Sequence, residues 1–203
     1  MSGDKLVRPR APGHLTWQTA AVTSRAVVLV EGRSDEIAVR TLAARRGRDL
    51  AAEGVFVIAV GGAQAMGRFL ATYGPAGTNA IVAGLCDQGE EQDVRRALER
   101  AGSSAAPGRG GLEALGFFVC ERDLEDELVR GLGVAGGEAI LAAHGKLAAF
   151  RTYQKQPAHR ARPAADQLRG FLTNWKVELA GPLVDALDPA RVPRPLDGVL
   201  AFV

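Results

Sequence analysis

Much that would announce a function at a glance is missing from this chain of 203 residues. There are two cysteines, Cys86 and Cys120, at no metal-like spacing and too few for a disulfide framework. Each ends an apolar run, which suits buried inert thiols and a reducing, cytoplasmic setting. His14, His144 and His159 form no ligand spacing, and no G-x-S-x-G elbow supports a Ser–His–Asp hydrolase. The G-x-x-x-x-G-K-[ST] pattern is absent, so no P-loop ATPase is encoded, and the Gly61-Gly62 pair after the second apolar run lacks the G-x-G-x-x-G spacing of a dinucleotide fingerprint. No apolar run approaches the length that spans a bilayer. Residues 1–25 are polar, contain Pro9 and Pro12 and lack the apolar core of a signal peptide. They are expected to form a partly disordered lead-in. The formal net charge is only +2, so no global basic field points to nucleic acid.

The charge is distributed unevenly. Acids crowd the middle, from Asp87 to Glu127, whereas bases gather later at Arg151, Lys155, Arg160, Arg162 and Arg169. Scattered charge usually means a solvated face. The sharper reading is a basic strip guiding a phosphate backbone toward an acidic site.

Short apolar, β-branched runs over residues 26–30, 55–60, 80–86 and 116–120 read as strands, with helical patterns between most of them. The order predicts an α/β fold with a largely parallel four-stranded sheet covered on both faces. Helix starts fall near Ser34, an expected cap, and near Gln92; the Gly- and Ser-rich stretch 102–111 reads as a loop. Beyond the fourth strand, strand signals fade. Helical pieces near 123–132, 136–144, 164–171 and 179–187 suggest a helical C-terminal extension, with Pro189, Pro193 and Pro195 breaking up the tail. The expected organisation is a lead-in over 1–25, an α/β domain over 26–145 and a basic helical extension over 146–203.

Acids follow the first, third and fourth of these strands: Glu31 with Asp35, then Asp87, then the run from Asp123 to Glu127. Ligands of open α/β sheets gather at the carboxyl ends of the strands. Carboxylates brought together there repel one another unless a cation sits among them, and such hard oxygen ligands suit Mg²⁺ or Mn²⁺. Each acid also has a bland explanation: helix-start charge for Asp35 and Asp123, a turn residue before Gly89 for Asp87. Their joint occurrence on one edge favours the metal, with Glu125 ahead of Asp123 in the last group. Gly61-Gly62 permits close backbone or phosphate approach, though a tight turn explains it as well. The polar stretch 151–160 is either a surface loop or a phosphate contact.

The ordered set Glu31-Gly32-Arg33-Ser34-Asp35-Glu36, Gly61-Gly62 and Asp87-Gln88-Gly89 resembles the Toprim domain of topoisomerases, primases and OLD-family nucleases. Asp123-Leu124-Glu125 and a downstream lysine look most like the OLD version, over roughly residues 26–160. The resemblance implies a Rossmann-like Toprim fold and a metal-dependent nuclease with two ions, Mg²⁺ or Mn²⁺, at Glu31, Asp35, Asp87 and Glu125. Glu31 and Asp87 would be catalytic, with Lys155 beside the scissile phosphate and Arg151, Arg160 and Arg162 along the nucleic acid. It also implies nucleic acid as partner, DNA before RNA, and a possible homodimer; the ATPase module usual in OLD proteins would have to be a separate subunit. One departure stands out: the usual Asp-x-Asp ends here in Gly89, with Glu90 or Glu91 as substitutes a residue or two late. The rival reading is a non-catalytic module that binds metal, nucleic acid or an ATPase partner. A third is a doubly wound domain holding a small phosphorylated ligand at Gly61-Gly62.

Overall fold

The computed structural model describes residues 25–62 and 65–203; the expected lead-in over 1–25 lies almost entirely outside them. Among the described residues the sheet has four strands, all parallel, in the order β2-β1-β3-β4. They are β1 (Ala26–Val30), β2 (Val55–Ala59), β3 (Ile81–Asp87) and β4 (Phe117–Cys120). All five residues of β1 are fully buried, as a central strand covered on both faces requires. Alternate side chains feed two cores. Ala26, Val28 and Val30 join one cluster, and Val27 and Leu29 join the other.

Helices α2 (Met66–Tyr73), α3 (Glu91–Arg100) and the short α4 (Arg109–Ala114) cover the face bearing Val27 and Leu29. The other face is covered by α1 (Arg33–Arg45), α5 (Leu124–Ala143, kinked at Gly133), α6 (Leu147–Lys155), α7 (Ala164–Leu172), α8 (Lys176–Asp185) and α9 (Arg194–Phe202). Leu168, Leu183 and Leu200 from the late helices share one hydrophobic cluster with Val28 and Leu85 of the strands. Burying each such side chain contributes about 1.5–3 kcal/mol.

Several local features differ from the sequence reading. Gly32, not Ser34, is the cap of α1; Ser34 lies inside the helix and is buried. Within the expected loop 102–111, residues from Arg109 onward are helical, and half of the polar stretch 151–160 belongs to α6. Pro193 and Pro195 do not fragment the tail. They stand at the start of α9, where the missing N–H leaves nothing unbonded. Close approach between β3 and β4 needs Gly84, since a Cβ there would lie 2.5 Å from the Phe117 ring.

Candidate metal centre at the sheet edge

The parallel register brings the carboxyl ends of β1, β3 and β4 side by side. Val30 pairs with Leu85 and Asp87 with Cys120, so the residues that follow these positions share one edge. Glu31 leaves β1 there. Its backbone carbonyl accepts the N–H of Gly61 at 3.0 Å, and of Gly62 at 3.4 Å, tying the exit of β2 to that of β1. Both glycines have positive φ, +80° and +107°, which L-residues resist. The tight-turn role of Gly61-Gly62 is thereby accounted for.

Asp35 reaches the same edge from the first turn of α1. Its carboxylate accepts the N–H of Gly32 at 2.9 Å, so it also stabilises the helix start. Burial raises the Asp35 pKa above the ordinary value; the Gly32 bond opposes that, Glu31 adds to it, and the positive charge of Lys176 lowers it again.

Asp87 ends β3. Its pKa is pushed from 3.8 up to about 8, first by burial and then by the negative charge of Glu31, Asp35, Asp123 and Glu125. The acids placed on three strand ends by sequence therefore act on one carboxyl group. Glu125, in the first turn of α5, is buried at 7 % exposure, and its pKa is raised by burial and by Asp123, with Lys176 again opposing.

Other acids are already engaged. Asp123 caps α5 by accepting the Asp126 N–H at 2.8 Å, and it takes a two-pronged grip from the Arg169 guanidinium, whose Nε stands 3.0 Å away. Glu91 is held by Arg95 at 2.9 Å. Among the described residues, no three His, Cys, Asp or Glu side chains already converge as a metal cage.

Of the expected cations, Lys155 is exposed at the end of α6, and none of the described interactions joins it to the acids. Arg151 is paired with Glu138 at 2.6 Å; Arg160 and Arg162 are exposed. The lysine whose charge acts on Asp35 and Glu125 is Lys176, first residue of α8. It arrives there because α8 packs along α1. Trp175, just before it, packs on the core with the Lys146 ammonium 3.5 Å from its ring centroid. The sequence carried one overlooked signal: a lysine opening a helix opposes the helix dipole, a placement that stability alone does not favour.

The fold is thus an all-parallel α/β sheet with carboxylates at its carboxyl edge. Residues 23–87 match the family model described as the Overcoming lysogenization defect protein-like TOPRIM domain. The matched stretch contains Glu31, Asp35, Gly61, Gly62 and Asp87. The fold is also that of the C-terminal region of the Xanthomonas campestris pv. campestris OLD protein, at TM-score 0.71 and 22 % identity, covering 91 % of this chain and 94 % of that one. The C-terminal region of the Burkholderia pseudomallei OLD protein is similar at TM-score 0.68 and 18 % identity, covering 88 % and 96 %. A search of curated proteins finds no match. Among the described residues, no helix is long and apolar enough to cross a membrane.

Proposed function

We propose that this chain is a metal-dependent nuclease that hydrolyses phosphodiesters, DNA before RNA, at the edge formed by Glu31, Asp35, Asp87 and Glu125. The observation that carries the reading is the state of Asp87. Burial and surrounding carboxylates hold its pKa near 8, a strained arrangement that a divalent cation would relieve. The donor set is hard oxygen, which fits Mg²⁺ or Mn²⁺. Ions bound there would lower the pKa of water and neutralise charge on the phosphodiester.

The chain's own residues divide the remaining work. Glu31 and Asp87 present carboxylates at neighbouring strand ends, and Asp35 and Glu125 close the cluster from the first turns of α1 and α5. Among the described residues no trio already converges, so these side chains would have to rotate to take up a cation. Lys176 takes the role of the cation that steadies negative charge on the reacting phosphate. Arg169 withdraws Asp123 from ligation and leaves Glu125 as the acid that α5 offers.

A second reading, a binding module without turnover, draws on Gly89 at the place of a second aspartate and on the engagement of Glu91 by Arg95. The two part company when the purified protein is incubated with nicked, linear and supercoiled DNA and with a structured RNA, in Mg²⁺, Mn²⁺ or chelator. Cleavage that needs the metal and disappears in Glu31→Ala supports the nuclease. Cation binding without cleavage of any of these substrates supports the module.

A further inference from the structure

A cavity of about 400 Å³ opens beyond β4, and its charged lining is mostly arginine: Arg109, Arg130, Arg191 and Arg194. Part of that positive charge is answered locally. Arg194 pairs with Glu113, and Arg130 pairs with Glu121 and, at 2.6 Å, with Glu127. Arg109 and Arg191 are different. Neither has a carboxylate partner among the described residues, and Arg191 makes only a 3.3 Å bond to the backbone oxygen of Arg130. Both residues line the cavity, and their guanidiniums keep donors that no described carboxylate takes up. The mounting of Arg191 is firm. Arg191 sits in the short turn Pro189–Arg191, fixed by Asp188 accepting the Ala190 N–H, and Gly131 lets that turn lie close against α5, since a Cβ there would come within 3.0 Å of the Arg191 backbone oxygen.

We infer that this arginine pocket binds a phosphate group of a nucleic-acid backbone that crosses the adjacent acid site. Guanidinium forks match phosphate oxygens bidentately, and a cavity of this size holds a phosphate with its sugar. Position supplies the rest. Glu121 of the pocket follows Cys120, the register partner of Asp87, and neighbouring strands lie about 4.8 Å apart. A strand of nucleic acid running along the carboxyl edge of the sheet past β4 would reach this pocket after the carboxylates. The pocket holds the chain on the β4 side of the cut, so the scissile bond lies toward β1 and β3. This deepens, and rests on, the nucleic-acid reading of the acid site.

The test is binding in chelator, where cleavage plays no part. A fluorescent single-stranded oligonucleotide is titrated by anisotropy against wild type, Arg109→Gln/Arg191→Gln and the distant control Arg68→Gln/Arg100→Gln, each with a melting curve to check folding. The pocket variant is expected to bind on the order of tenfold more weakly, with a salt dependence shallower by about one to two phosphates, while the control matches wild type. Competition with inorganic phosphate and with a 5′-mononucleotide separates the sources. Loss of mononucleotide binding with oligonucleotide binding intact assigns the pocket to a free phosphate compound and overturns the backbone assignment. Equal binding by both variants, or a wild type that binds neither ligand, also overturns it. Failure of the nuclease reading shows separately, as absence of metal-dependent cleavage while the pocket variant still loses affinity.

Discussion

Replacing Asp87 by asparagine should stabilise the metal-free protein, and increasingly so as pH rises. In the unfolded chain this carboxyl ionises near 3.8; in the folded protein it holds its proton to about pH 8. Between those values the folded state binds more protons than the unfolded one, so each pH unit gained favours unfolding. The stability is fully present below pH 3.8, declines through the interval and is lost once pH passes about 8. In a dry interior the whole displacement would correspond to about 6 kcal/mol. Asp87 keeps solvent contact, and screening reduces this to about 2 kcal/mol. The amide that replaces the carboxyl in Asp87→Asn cannot ionise and escapes the penalty. Thermal unfolding in chelator at pH 5 and pH 8 measures it: Asp87→Asn should exceed wild type by only a small margin at pH 5, and by about 4–8 °C at pH 8. Mn²⁺ should raise the melting temperature of wild type more at pH 8 than at pH 5, and barely affect the variant. A variant less stable than wild type, or a difference that ignores pH, would refute the electrostatic account of this edge.

Lys176→Ala should leave the melting temperature within about 2 °C of wild type and reduce cleavage about a hundredfold, whereas Lys155→Ala should cleave normally; initial rates on the same DNA decide. Arg169→Ala strips Asp123 of its ion pair and should destabilise the fold by about 1–3 kcal/mol in urea unfolding. Gly84→Ala drives a methyl group into the Phe117 ring and should cost about 1–3 kcal/mol, read from the same unfolding curves.

The strands and their order of appearance were legible because each apolar run is short, β-branched and bounded by acids or glycines. Glu31 and Asp87 were legible for the same reason: residues that end parallel strands must meet at one edge, whatever the loops do. Partnerships among side chains were not. Sequence put Glu125 ahead of Asp123 and offered Glu91 as a late substitute, but only the folded chain shows Arg169 and Arg95 occupying Asp123 and Glu91. Asp35 serves both as helix cap and as a member of the acid group, so the two explanations of an acid at a helix start do not compete there. Lys176 escaped notice because its place depends on α8 packing along α1, a contact between segments far apart in the chain that no local pattern encodes. The prolines near the C-terminus misled for a simpler reason: proline breaks a helix from within but opens one readily.

The central claim is that these carboxylates together hold a divalent cation. Calorimetric titration of Mn²⁺ into the metal-free protein, beside Glu31→Gln and Asp87→Asn, tests it most directly. The account predicts saturable binding to wild type, accompanied by proton release that grows as pH falls from 8 toward 6, with affinity reduced at least about tenfold in either variant. Unchanged Mn²⁺ affinity in both variants would contradict it.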